Sequence, residues 1–349
     1  MPVSVLFAYH QAFEEHDPGD DHPESPDRLG AVLQGVSDAH LAEALVDFAP
    51  RRARREELTL VHDIDYVTRL EERCLAGGGW LDPDTAVSPA SYEAALRAAG
   101  AGLEAIERLR RNEASAAFLA VRPPGHHALA SAAMGFCLFN NLALAAAALV
   151  ASGERVLVLD WDAHHGNGTQ AAFYDSAEVL YVSMHQFPWF PGTGAIGEVG
   201  EGAGVGRTVN VPFPAGTTGD AYRLAFDELV VPAAELFSPT WLLVSAGFDA
   251  HRADPLAELG LSAGDFGDLA ERAMRLALPG RRIFFLEGGY DLDALGASAA
   301  ATVAALAGSP LRTERPTSGG TDGMNGAAPS GRPAAVVAAA RALHDRLCS

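Results

Sequence analysis

Positive charge is scarce in this sequence. Its 25 Lys and Arg face 45 Asp and Glu, a formal net charge of −20. A phosphate backbone would meet a repulsive field, which argues against nucleic acid as a direct partner. Cysteine is scarce too: Cys74, Cys137 and Cys348 are odd in number and widely spaced. That excludes a disulfide framework and leads to the expectation of a reducing, cytoplasmic location. Long hydrophobic runs are missing: the alanine-rich stretch 142–151 is helical by propensity but too short to cross a bilayer. The opening residues 1–9 lack the basic region of a signal peptide and read as a first β-strand. No repeat at solenoid or propeller spacing occurs.

What is present is alternation. Short apolar runs at 116–121, 156–160, 179–183, 241–245 and 282–286 are separated by longer stretches of helical character. This pattern predicts an α/β fold around a parallel sheet covered on both faces. Residues 1–308 are expected to form one domain. The stretch 309–333, rich in Gly, Pro, Ser and Thr, reads as a flexible linker, and 334–349 as a C-terminal helix.

The chemistry gathers where the apolar runs end. Arg122-Pro-Pro-Gly-His126-His127 follows one, and Asp160-Trp-Asp162-Ala-His164-His165-Gly-Asn167 follows another. Open α/β sheets place their ligands at such strand ends. If the strand conformation persists past Asp160, residues 160, 162 and 164 share one face, because side chains alternate with period two. Ser245-Ala-Gly-Phe-Asp249 brings a further carboxylate from a third strand end. Asp162, His164 and Asp249 would then make three metal ligands, the number a catalytic zinc takes while leaving a position for water. A fourth strand end, Glu287-Gly-Gly-Tyr290, lets the backbone turn sharply so that the phenol could donate to a developing oxyanion. Each fragment has an ordinary counterpart: paired histidines on a surface, aspartates as helix caps, a core tyrosine. Four strand ends carrying ionisable groups together favour a site.

The ordered set Pro-Pro-Gly-His126-His127, Gly135-Phe136, Asp160-x-Asp162-x-His164-His165-Gly, Ser183-Met-His185, Pro191-Gly-Thr-Gly, Ser245-x-Gly-Phe-Asp249 and Glu287-Gly-Gly-Tyr290 resembles the zinc-dependent histone deacetylase family, in its class II and bacterial branch that includes acetylpolyamine amidohydrolases. The resemblance runs from the first strand to about Gly308. It implies the arginase/deacetylase-like three-layer sandwich with a central, mainly parallel sheet, and hydrolysis of N-acetylated amines such as acetyl-lysine or acetylpolyamines.

Carried over residue by residue, the resemblance makes Asp162, His164 and Asp249 the zinc ligands, with Fe2+ as the other metal that this donor set accepts. It makes His127 the proton acceptor, Tyr290 the carbonyl-polarising phenol, and His126 its neighbour paired with Asp160. Asn167 backs His127 where class I members have an aspartate, so His127 is expected to be less basic here. Backbone groups of Asp160, Asp162 and His164, with Ser183 and Met184, match a monovalent-cation site for K+. Gly135, Phe136 and Phe190 match the walls of the acyl-lysine channel, and Leu256, after Asp254-Pro255, takes the place of the acidic gate of the polyamine-specific branch. Arg28 resembles the arginine of the acetate-release cavity.

Two other readings compete. A dimanganese ureohydrolase, agmatinase- or arginase-like, would need further bridging carboxylates where His165 and Asn167 stand. A non-catalytic acyl-lysine-binding protein would be expected to have lost a ligand, His127 or Tyr290. The expected partner is a small-molecule or peptide acetylated amine, with no nucleic acid and no membrane; oligomeric state is not readable. Gly192-Thr-Gly194-Ala-Ile-Gly197 satisfies a dinucleotide-binding pattern but lacks the strand before it and the helix after it. Arg51-Arg52-Ala-Arg54-Arg55 reads as a solvated surface segment. The acidic stretch 14–21 could steer a cationic substrate or simply be a soluble loop.

Overall fold

In the computed structural model, which describes residues 4–319 and 332–348, the apolar runs become a single eight-stranded sheet. Ten strands occur among the described residues: β1 Val5–Ala8, β2 Leu45–Phe48, β3 Gly79–Trp80, β4 Ala86–Val87, β5 Ala116–Leu119, β6 Val156–Asp160, β7 Val179–Gln186, β8 Thr208–Phe213, β9 Trp241–Ala246 and β10 Arg282–Leu286. The main sheet runs β2-β1-β5-β10-β9-β6-β7-β8, and β3 and β4 form a separate antiparallel pair. Every pairing in the main sheet is parallel. Helices cover both faces, so the central strands are buried throughout, which is why they read as unbroken apolar runs.

The order of strands explains the site. β5, β10, β9 and β6 are consecutive across the centre of the sheet, although they are far from consecutive along the chain. These are the four strands whose ends carry His126-His127, Tyr290, Asp249 and the Asp160–His164 segment. Helix caps then fix the chain just beyond the sheet. Asn140 caps the helix Asn141–Ala151 by accepting from the Ala143 N–H at 2.9 Å. Asp291, directly after Tyr290, caps Leu292–Leu306 through the Ala294 N–H at 2.9 Å.

Three expectations are revised. The strand does not persist beyond Asp160. Instead the backbone turns, with the Asp162 N–H donating to Asp160 Oδ1 at 3.2 Å and the His164 N–H to Asp162 Oδ1 at 2.9 Å. These are local side-chain turns of the kind aspartate favours. Secondly, the part of the expected flexible linker that is described, 309–319, is pinned. Glu314 accepts from His251 and Arg252 at 2.9 and 2.7 Å, and Thr317 donates to Asp265 at 2.7 Å; the remainder, 320–331, lies outside the described residues. Thirdly, the C-terminal helix, Arg332–Cys348, begins before residue 334, where the sequence predicts it, and packs beside the edge strand β8 with Val337 and Ala340 buried. No helix among the described residues is long and apolar enough to cross a membrane.

Candidate active site

Asp162, His164 and Asp249 meet over the sheet's carboxyl edge, with one donor atom from each lying within 4.8 Å of the others. His164 Nδ1 is 2.8 Å from Asp249 Oδ2 and 3.2 Å from Asp162 Oδ1. Backbone amides orient the carboxylates: Ala163 N–H donates to Asp249 Oδ1 at 2.7 Å, and Gly288 N–H to Asp162 Oδ2 at 2.9 Å. Two glycines leave room for the carboxylates. A Cβ on Gly247 would collide with Asp162, and one on Gly288 with both Asp249 and Asp162.

The histidine pair stands beside this triad. His126 Nδ1 is 3.1 Å from Asp160 Oδ2, and the two rings lie 4.0 Å apart between centroids. His127 Nδ1 is 2.8 Å from Asn167 Oδ1, while Asn167 Nδ2 donates to Met134 Sδ at 3.2 Å, fixing which way the amide points. With the amide oxygen facing it, Nδ1 carries the proton and Nε2 keeps its lone pair. His127, His164 and Tyr290 all line one pocket of about 410 Å³.

The pocket walls include every substrate-binding residue anticipated from sequence: Gly135, Phe136, Phe190 and Leu256. Phe136 meets the Tyr290 ring edge-on at 5.7 Å, and Phe190 meets His127 at 5.2 Å. Gly135 and Phe136 both adopt positive φ, and a Cβ at Gly135 would strike the His127 ring, so glycine is required for this close approach. Asp84 and Trp189 also line the pocket and were not anticipated. Trp189 Nε1 donates to the Leu256 carbonyl at 3.0 Å, tying two walls together. Neither stands in a motif, and Asp84 is brought in by the β3–β4 excursion, which sequence periodicity does not reveal.

Arg28 lies behind the pocket, fully buried. It donates to the carbonyls of Gly289 (2.7 Å) and Glu287 (2.5 Å), pairs with Glu24 at 2.8 Å, and sits 5.0 Å from the Tyr290 ring centroid. Glu24 also receives Arg122 at 2.5 Å, so one carboxylate serves two buried guanidinium groups. Ser183 and Met184 lie on β7, with Ser183 in register with Asp160. The Met184 carbonyl accepts from Tyr222 at 3.3 Å, and Ser183 Oγ is 2.8 Å from His185 Nδ1.

Charge is unevenly met here. Asp160, Asp162, Asp249 and Glu287 are all fully buried. Burial pushes Asp249 up to about 7, with Asp162 adding to the effect, and burial likewise raises Asp160. Burial works against His126 as a cation, but the charges of Asp162, Asp160 and Glu287 prevail and raise it to about 10. His164 is raised well above its ordinary value against the cost of burial, by Asp249 and Asp162. His127, by contrast, is lowered well below its ordinary value by burial and by its imidazole neighbours. Carboxylates crowded to this degree, with imidazoles as the nearest cations, form a donor set that a divalent ion would neutralise. Among the described residues this is the one triad of metal-ligating side chains so arranged. His165 is turned away from it, its nitrogens 2.8 Å from Thr193 Oγ1 and 3.0 Å from Gln170 Oε1.

A family model described as the histone deacetylase domain matches residues 22–306. A protein of Archaeoglobus fulgidus named a probable deacetylase is 38% identical over 322 residues, 90% of this chain and 89% of its own length. An uncharacterized protein of Synechocystis sp. is 40% identical over 308 residues, 86% of this chain and 99% of its own. Among solved structures, the HD domain of HDA15 superposes with a TM-score of 0.85 at 35% identity, covering 89% of this chain and 90% of that one.

Proposed function

This chain belongs to the histone deacetylase family, hydrolases acting on acetylated amides, and we propose that it is a zinc-dependent amidohydrolase releasing acetate from an N-acetylated amine. The observation that carries the proposal is that His127, His164 and Tyr290 face one pocket, with the Asp162–His164–Asp249 triad at its base. Zinc held by that triad would supply Lewis acidity toward the amide carbonyl and lower the pKa of a water.

The chain's own residues divide the remaining work. The lowered basicity of His127 leaves it neutral near pH 7, with Nε2 free to take a proton from the attacking water and return it to the departing amine. Burial pushes the Tyr290 phenol well above its ordinary value, so it stays protonated and donates to the carbonyl oxygen as negative charge develops. Asp162 and Asp160 favour the charged form of His126 beside this pair, and Asp160 hydrogen-bonds its Nδ1. Phe136 and Phe190 grip an extended apolar stem, and Leu256 leaves the rim without an acidic gate. We assign Arg28 to the wall of an acetate-release path, and Ser183, Met184 and the backbone of residues 160–164 to a structural K+.

The orientation of His165 speaks against a second metal, hence against a dimanganese ureohydrolase. Retention of both His127 and Tyr290 speaks against a non-catalytic reader. The chain contains no lysine, all of its basic side chains being arginine or histidine, so none of its own side chains can compete as an Nε-acetyl substrate. A turnover comparison across acetyl-lysine peptides, acetylputrescine, acetylspermidine and longer acyl-lysines tests the proposal. Release of free amine from one class, abolished by chelation and restored by zinc, is expected; no turnover of any would reject it.

A further inference from the structure

Glu287 begins the turn after β10 fully buried, and beyond adding its charge to those that raise His126, nothing in the reaction above gives its carboxyl group a task. Its Oε2 accepts from the Gly125 N–H at 2.7 Å and the His126 N–H at 3.2 Å, and its Oε1 lies 3.2 Å from Ser245 Oγ. Among the described residues no arginine or histidine side chain hydrogen-bonds to it. A buried acid without such a partner is costly, and an apolar side chain would fill the same space more cheaply. What the acid does uniquely is connect. The turn carrying His126 and His127 leaves β5, and the turn carrying Tyr290 leaves β10; the Glu287 side chain ties the first to the second, while Ser245 adds β9. The same turn is braced behind by Arg28 on the carbonyls of Glu287 and Gly289, and in front by Gly288 N–H on Asp162.

We propose that Glu287 is the positioning residue that sets the His126-His127 turn against the Tyr290 turn, and that it does so by hydrogen-bond acceptance rather than by charge. The inference rests on the reading of His127 and Tyr290 as the reacting pair. Its partners are two N–H groups and the Ser245 hydroxyl, which donates to Oε1; a neutral acid still accepts from both N–H groups, and the rotatable serine hydroxyl then turns to accept from Oε1–H. Burial, which pushes this carboxyl up to about 7, makes that neutral form accessible near physiological pH. An amide in the same place would reproduce it: one oxygen for the two N–H groups, one NH2 for the serine oxygen.

The test compares Glu287→Gln with Glu287→Met in the full-length, zinc-loaded chain, measuring kcat and KM and, separately on metal-free protein, amide hydrogen exchange at Gly125 and His126. Glu287→Gln is expected to keep kcat and exchange within about threefold of the parent, whereas Glu287→Met, misplacing the turn, loses roughly 10²-fold in kcat with KM little changed and exchanges faster at those two amides. Loss in the glutamine variant equal to that in the methionine variant would overturn the acceptor role, as would an unimpaired methionine variant. Should the methionine variant not fold, Glu287→Asp, too short to reach both N–H groups, takes its place with the same expectations. A parent chain that turns over no acylated amine would reject the proposed function instead, while the exchange measurement would still decide whether Glu287 holds the turn.

Discussion

Asn167 Oδ1 lies 2.8 Å from His127 Nδ1, so the ring facing the pocket is backed by an amide and not by a carboxylate. An amide fixes the tautomer without stabilising the imidazolium, which agrees with the lowered basicity of His127. Asn167→Asp restores a charge at that distance and should make His127 more basic. A base must be unprotonated to act, so the acid limb of kcat/KM moves to higher pH, and activity at pH 6 falls relative to pH 8. A pH–rate profile checks this; an unmoved acid limb would remove His127 from the role of base.

Tyr290 is expected to act chiefly in the transition state. Tyr290→Phe keeps the ring against Phe136 but loses the donor, so KM stays close to that of the parent while kcat falls by about 10²–10³-fold. Steady-state kinetics on the best substrate decide it, and unchanged kcat would exclude the phenol from the reaction.

Asp249 carries the sharpest stability expectation. Its folded pKa of about 7 lies above its ordinary value of 3.8, so the folded chain holds a proton that the unfolded chain has released. Folding stability from this group is present below about pH 4 and is lost as pH rises through about 7. Asn at this position cannot titrate. The melting temperature of metal-free Asp249→Asn, relative to the metal-free parent, should therefore climb between pH 4 and pH 7, while the variant fails to bind zinc. A pH-independent difference would contradict the charge crowding described for the triad.

Phe136 and Phe190 both line the pocket. Phe190→Ala removes an apolar wall proposed above to grip the substrate stem; a grip made in ground and transition states alike means that KM should rise by about tenfold with kcat little altered. A fall in kcat alone, without change in KM, would show that Phe190 serves the packing of His127 instead.

The sequence made the candidate residues legible because buried parallel strands are unbroken apolar runs and the segments that follow four of them carry ionisable residues. It did not reveal β2 or β8: Leu45–Phe48 is only four residues long, and Thr208–Phe213 contains Asn210 and Pro212, which dilute the signal. Nor does local spacing show that β5, β10, β9 and β6 are neighbours; that order comes from long-range packing. The Arg122–Glu24–Arg28 cluster stayed hidden for the same reason, since its pairing spans 98 residues. The basic run 51–55 is accounted for as a surface: Arg51, Arg52, Arg54 and Arg55 are paired with Glu57, Glu93, Glu56 and Glu71. The linker reading failed at 309–319 because composition reports on propensity, whereas Asp265 and His251 supply partners from elsewhere in the fold.

Anomalous scattering recorded at the zinc absorption edge, on crystals of the zinc-loaded chain, tests the central claim most directly. One peak per chain, within bonding distance of Asp162, His164 and Asp249 and open toward His127 and Tyr290, is the predicted result. A pair of metal peaks, or a single peak bound elsewhere with the triad empty, would contradict the account.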